Sequence, residues 1–266
     1  MAGFLLINPR SGDDEPGPEE LRAEAAARGI ETRLLEPEDD LAELARAADA
    51  DVLGMAGGDG SLGAVAAVAL ERDLPFVVVP FGTRNHFARD LGLDNNDPLG
   101  ALEAFTGRER RIDVGTVGDR VFLNNVSLGL YARLVHRREE HRRRRRLLAR
   151  GRALWTVVQR RHGLEVRVDG APVAARVILV ANNAYELDLF DVGARNSLTE
   201  GTLHLYVASG WLPGTWEDRP GERFRIEGDE RLQAAVDGEP AELQPPIELE
   251  VRPQALRVLV PGAPGG

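Results

Sequence analysis

Residues 51–70, DVLGMAGGDGSLGAVAAVAL, decide how the chain reads. Residues 52–55 are an apolar run, expected to be a buried strand. The run enters a loop of three glycines around one acid, Gly57-Gly58-Asp59-Gly60. Ser61 then stands as the cap of an Ala- and Val-rich run at helical spacing. A strand, a glycine loop and a helix start together aim backbone N–H groups and the positive end of a helix dipole at one spot, which suits phosphate. Gly58, Gly60 and Gly63 fit the G-x-G-x-x-G spacing of dinucleotide folds, but on the third strand instead of the first. The next strand ends in Pro80-Phe81-Gly82, with no acid to hold a ribose. A P-loop is excluded because the chain has no lysine. Asp59 is the odd member, since a carboxylate beside phosphates is repulsive unless a cation or a protonated group intervenes. The loop therefore reads either as a nucleotide site with Mg²⁺ or a hydroxyl nearby, or as a tight turn with Asp59 capping the helix.

Working outward, short strands expected at 4–7, 32–35, 52–55 and 76–79 alternate with helical patterns at 19–28 and 38–48. That alternation means βαβ units and a mostly parallel sheet, whose ligands bind at the carboxyl ends of the strands. Asn8, Gly57 and Gly82 all fall just past strand ends and are expected to converge. After the fourth strand, Thr83 and Asn85 offer a hydroxyl and an amide to a nucleotide. His86 is open to two readings, a ligand or acid–base group, or a structural residue on the first turn of a short helix.

Beyond residue 110 the pattern changes. Short runs at 111–117, 121–125, 164–168, 173–180, 203–207, 224–226, 234–236 and 247–251 are separated by turn pairs such as Gly118-Asp119 and Asp169-Gly170. This is antiparallel, sandwich-like material. A long helix is expected over 130–161, carrying five consecutive arginines at 142–146. That run is either a contact for an anionic membrane surface or a solvated segment, because consecutive residues surround a helix and make no single face. Asp237-Gly238-Glu239 is a tight turn with two acids, either a surface hairpin or a carrier of carboxylates into the ligand crevice.

The chain has 266 residues and a net charge of −10, which argues against nucleic acid as a partner. It has no cysteine, hence no disulfide, no thiolate nucleophile and no cysteine zinc site. All 33 basic residues are arginine, which removes Schiff-base lysine chemistry. Residues 4–7 are too short for a signal-peptide core, and no segment approaches the ~20 apolar residues of a membrane span. The expectation is a cytoplasmic protein, with any contact at the inner membrane face peripheral.

Six motifs, in order and end to end, make the chain resemble the diacylglycerol kinase-like lipid kinases, which include the sphingosine kinases and small bacterial lipid kinases. They are Asn8-Pro9-x-Ser11-Gly12, Gly57-Gly58-Asp59-Gly60-Ser61, Pro80-x-Gly82-Thr83-x-Asn85-x-Phe87-Ala88, Asp113, Asn125-x-Ser127-x-Gly129 and Asp237-Gly238-Glu239. The resemblance implies an α/β N-terminal lobe with a mostly parallel sheet, of the NAD kinase/diacylglycerol kinase-like kind, plus a C-terminal antiparallel β-sandwich lobe. Residues 1–110 would form the nucleotide-binding domain, with the final strand at 254–262 returning to it, and 111–253 the substrate domain. The implied cofactors are ATP and Mg²⁺, and the implied partner is a lipid substrate. Asn8, Gly57, Gly58, Asp59, Gly60, Ser61, Thr83 and Asn85 would hold ATP. Glu239 resembles the family's proton acceptor, with Asp59 the other candidate base. Ser197, Glu200 and Thr202 fall where bacterial members bind a structural Mg²⁺, and Asp113 and Asp237 resemble the acids that connect that ion to the site. The chain departs from the family at Ser61 for Thr, at Leu62-Gly63-Ala64 for a stretch with an Asn-Glu pair, at His86 for Asp and at Glu200 for Asp. The rival readings are a soluble NAD kinase-like or small-molecule kinase, whose glycine loop is similar, and a non-catalytic nucleotide- or lipid-binding regulator.

Overall fold

The computed structural model describes residues 1–11, 16–82, 85–129, 163–187, 192–209 and 216–262. The expected helix at 130–161, with its arginine run, lies outside the described residues. Two compact units emerge: Met1–Val114 with Ala194–Gly201 and Arg252–Gly266, and Gly115–Gly193 with Thr202–Val251. The segment 194–201, which the sequence reading assigned to the substrate domain, belongs to the first unit.

The first unit begins β1 (Gly3–Ile7), α1 (Pro18–Ala27), β2 (Ile30–Leu34), α2 (Leu41–Ala47), β3 (Val52–Gly57), α3 (Asp59–Glu71), β4 (Phe76–Pro80) and α4 (His86–Asp90). A 3₁₀ turn, Gly100–Thr106, then leads into β5 (Arg108–Val117). Each element has a local cause. Pro18 sits in the first turn of α1, where its missing N–H costs nothing, and Gly29 at φ 74° ends it. Asp40 accepts from the N–H groups of Ala42 and Glu43, so α2 starts at Leu41 and not at residue 38 as its pattern suggested. The guanidinium of Arg72 donates to the carbonyls of Ala45 and Ala48 and closes the other end of α2. Every residue of β1, β3 and β4 is buried, as parallel strands covered on both faces must be. The parallel order is β2-β1-β3-β4, with Leu5 beside Gly54 and Met55 beside Val78. Leu21 and Ala25 of α1, with Phe105 of the 3₁₀ turn, share one apolar core with Leu5, Ile7, Val52 and Val77.

The chain continues through β6 (Arg120–Phe122), β7 (Asn125–Gly129), β8 (Leu164–Val168), β9 (Ala171–Ala175), β10 (Val177–Asn182), β11 (Tyr185–Leu187), β12 (Val192–Arg195), β13 (Leu203–Ala208), β14 (Trp216–Gly221), β15 (Arg223–Glu227), β16 (Leu232–Val236), β17 (Glu239–Leu243) and β18 (Ile247–Val260). In the second unit one antiparallel sheet runs β14-β13-β10-β7-β16-β17. Its Val126, Leu128, Ile178, Val180 and Leu205 pack into one core with Val166, Val173, Phe224, Ile226 and Leu249 from β8, β9, β15 and β18, which makes a sandwich. The two runs expected at 247–251 and 254–262 form one strand, β18, which ends at Val260 and has Gln254 at φ 47° within it. Residues 247–250 of β18 pair with β15, and Val258 and Leu259 pair in parallel with Phe76 and Val77 of β4. The run expected at 121–125 is split, because the carboxylate of Asp237 takes the N–H groups of residues 123–125 before β7 begins its ladder. The run at 173–180 is split at Arg176, whose N–H turns to the carbonyl of Ala208.

Candidate active site

The glycine loop lies at the carboxyl edge of the parallel sheet. Asn8 follows β1, and its N–H donates to the carbonyl of Ala56 at 2.9 Å, so the ends of β1 and β3 are level. Gly57 pairs with Pro80, which brings the end of β4 to the same edge. The side-chain oxygen of Asn8 accepts from the N–H of Arg10 and folds the following turn. Gly82 touches the loop directly: a Cβ there would stand 2.7 Å from the Gly58 Cα. The convergence of Asn8, Gly57 and Gly82 that the strand pattern predicted is present. Thr83 lies outside the described residues.

Gly58 is the N-cap of α3, at φ −79° and ψ 169°, a backbone shape open to any residue. Among the described residues, a Cβ on Gly58 would meet nothing within 4 Å. Neither conformation nor packing demands glycine here, so what the missing side chain leaves is open space at a helix N-terminus, the approach a phosphate needs. Ser61 is not the cap. It lies inside the first turn of α3, and its hydroxyl donates back to the carbonyl of Gly58 at 2.8 Å.

Asp59 resolves the puzzle of an acid in this loop. Its two carboxylate oxygens accept from the N–H groups of His86 at 3.1 Å and Phe87 at 3.0 Å. Asp59 therefore caps α4, a different helix from the one it opens. α4 needs this help, because its own N-cap residue, Asn85, makes no side-chain cap bond and sits left-handed at φ 46°. The Asn85 amide instead donates to the carbonyl of Gly82 at 2.7 Å, while its buried Oδ1 has no hydrogen-bond partner. Of the two readings of His86, the structure displays a main-chain role on the first turn of a short helix.

Of the residues expected at or near a structural Mg²⁺, Asp113 and Asp237 accept main-chain hydrogen bonds. Asp113, 1% exposed, accepts from Gly201 N–H at 2.6 Å and Gln254 N–H at 2.8 Å, while its own N–H donates to the Leu198 carbonyl. It stitches β5, the 194–201 segment and β18 together. The Ser197 hydroxyl accepts from Thr199 N–H in a local turn, and Glu200 is exposed. In the second unit, Asp237 Oδ1 accepts from Asn124 N–H at 2.8 Å and Asn125 N–H at 3.0 Å, and Oδ2 from Leu123 N–H at 2.8 Å. The Thr202 carbonyl accepts from Asn183 N–H. Among the described residues no three His, Asp or Glu side chains are placed to hold a metal ion. The oxygens of Asp113 and Asp237 accept main-chain N–H groups from three separate segments.

Asp237 and Gly238, at φ 48° and 84°, form the two-residue turn between β16 and β17, where Val236 pairs with Glu239. With the Asp237 carboxylate fastened inward, Glu239 is the exposed first residue of β17. On β7, Asn125, Ser127 and Gly129 alternate with Val126 and Leu128 of the sandwich core, so the motif lines the opposite face of its sheet. Asn125 Nδ2 lies 3.4 Å from the Tyr185 hydroxyl, and Tyr185 N–H donates to the Tyr206 hydroxyl.

One pair went unseen in the sequence. Arg195 Nε donates to Asp90 Oδ2 at 2.8 Å, with both side chains fully buried. No local pattern joins two residues 105 positions apart.

A phosphate-suited glycine loop on a parallel sheet and an antiparallel sandwich unit are the two parts that the motif resemblance implied. Comparison with known proteins shows what the chain is similar to. A model of the diacylglycerol kinase catalytic domain matches residues 2–117. A protein of Cronobacter sakazakii named "Probable lipid kinase YegS-like" is 28% identical, over 97% of this chain and 95% of its own. A Staphylococcus aureus protein named "Diacylglycerol kinase" is 40% identical over 33% of this chain and 29% of its own. A diacylglycerol kinase structure from Bacillus anthracis superposes with a TM-score of 0.69 at 17% identity, covering 97% of this chain and 96% of that one, which bears on the fold alone. The resemblance read from the motifs is thereby shown: residues 2–117 match the diacylglycerol kinase catalytic domain, and the relatives are named as lipid kinases, which supports a phosphotransferase of the kinase class.

Proposed function

We propose that the protein is an ATP-dependent lipid kinase that moves the γ-phosphoryl group to the hydroxyl of a diacylglycerol-like lipid. The observation that carries the ATP assignment is the open Cβ position of Gly58 at the N-terminus of α3, with Gly82 against it. The names borne by its relatives support the lipid acceptor. Phosphoryl transfer asks a protein mainly for positioning and charge neutralisation. In this reading the first-turn N–H groups of α3 receive phosphate oxygens, and the Asn85 Oδ1 is a free acceptor beside them. Mg²⁺ enters as part of the Mg–ATP substrate. The acceptor oxygen bonds to the γ-phosphorus, the bond to the β-bridging oxygen breaks and ADP leaves. The hydroxyl proton goes to a carboxylate, and we assign that base to Glu239. It is exposed at the head of β17, whereas both oxygens of Asp59 are directed at α4. A lipid acceptor puts the working enzyme at a membrane surface. No described helix is long and apolar enough to cross a membrane, so the contact in this reading is peripheral.

Gly58→Val tests the ATP assignment. The substituted protein should melt with the wild type, because its Cβ meets no described atom within 4 Å. Calorimetry should show ATP affinity reduced by more than about tenfold, at least 1.4 kcal/mol. A folded Gly58→Val protein with unchanged ATP affinity would remove the loop from the phosphate site.

A further inference from the structure

The structure assigns Arg195 as a positioning residue for the phosphate loop, acting through Asp90 and α4. Arg195 stands on the 194–201 segment, which returns to the first unit from far along the chain. Its guanidinium meets Asp90, the last residue of α4, and lies 5.8 Å from the ring centre of Phe87 in the same helix. Phe87 is fully buried, and its N–H is one of the two that hold Asp59. α4 has only five residues, too few to be stable alone. Its first turn is held by Asp59 of the glycine loop and its last by Arg195, so the helix transmits the position of one to the other. The segment bearing Arg195 is itself anchored at Leu198 and Gly201 by Asp113.

Burying a guanidinium and a carboxylate together is rarely the cheapest way to stabilise a fold, since an apolar pair of similar size is often as stable. What the ion pair adds is direction: one geometry satisfies it, and that geometry sets where the His86 and Phe87 N–H groups stand. The inference rests on the glycine loop being the ATP site.

The test uses the double substitution Arg195→Met with Asp90→Leu, which removes both buried charges together; Arg89, which also reaches Asp90, is exposed. Arg195→Lys is the conservative control. Two readouts are followed in the folded proteins: hydrogen exchange at the His86 and Phe87 amides without nucleotide, and Kd for ATP beside KM for the lipid acceptor. The double variant should exchange those two amides faster and lose about tenfold in ATP affinity, 1.4 kcal/mol. KM for the acceptor should stay put, and Arg195→Lys should recover part of the ATP affinity. A double variant with wild-type exchange at both amides overturns the assignment. So does one with faster exchange and unchanged ATP affinity. A wild type that binds no ATP would instead defeat the lipid kinase proposal, while the exchange rates still report whether Arg195 holds α4.

Discussion

Replacing Asp59 by alanine removes two charge-assisted hydrogen bonds, at 3.0 and 3.1 Å, from the start of α4. Hydrogen bonds to a charged group are worth roughly 1.5–3 kcal/mol each, and loss of a helix cap costs about 0.5–2 kcal/mol. The two bonds share one carboxylate that is only half-buried, so they do not add in full. About 2 kcal/mol is the expected loss, which at ~2–4 °C per kcal/mol lowers the melting of the first unit by roughly 4–8 °C. Asp59→Asn keeps one acceptor oxygen and should lose about half as much. Both variants should bind ATP more weakly, because the proposed phosphate loop loses its tie to α4. Differential scanning calorimetry with and without ATP reads both effects. If Asp59→Ala melts with the wild type, the tether carries no load. If Asp59→Asn binds ATP normally and yet loses more than about a hundredfold in turnover, Asp59 is the base and the cap is incidental.

Glu239→Gln keeps shape and removes proton acceptance, so turnover should fall by about 10²–10⁴ with ATP affinity unchanged; steady-state kinetics giving near-full turnover would reassign the base. Because the Asp113 oxygens already accept main-chain N–H groups, nucleotide-free protein should melt at the same temperature in Mg²⁺ and in EDTA, and Glu200→Gln should change neither melt. A Mg²⁺-dependent rise that Glu200→Gln abolishes would restore the structural metal. Glu109 is held below the usual carboxylate range, first by its hydrogen bond from Arg257. A lowered folded pKa contributes stability above the unfolded value that is lost as pH falls through the folded one. Glu109→Gln should therefore flatten the acid side of the melting-temperature profile, and an unchanged acid side would show the pair to be too exposed to matter.

Much of the fold is legible because it is local. The apolar run before Gly57 can only be a buried strand, and it is buried throughout. Asp237-Gly238 is a two-residue hairpin turn by composition, and both residues have positive φ. The sequence shows less of how side chains from distant segments finish those elements. Asp59 sits 27 and 28 positions from the amides it caps, so the spacing that places it in a phosphate loop says nothing of α4. Asp237 ends the strand expected at 121–125 from more than a hundred positions away. The acids Asp113 and Asp237 are read as metal-linked by resemblance alone, yet each spends its oxygens on backbone N–H groups, which no side-chain pattern announces. Arg195 and Asp90 each look like ordinary surface charges until the 194–201 segment returns to the first unit.

The most direct measurement is transfer of label from [γ-³²P]ATP into chloroform-extractable lipid, with the purified protein, Mg²⁺ and vesicles containing diacylglycerol. The account predicts labelled lipid in proportion to enzyme and time, lost with Glu239→Gln and with Gly58→Val. Labelled inorganic phosphate or a labelled water-soluble product, with no label in the lipid phase from either diacylglycerol vesicles or total lipid extract, would contradict it.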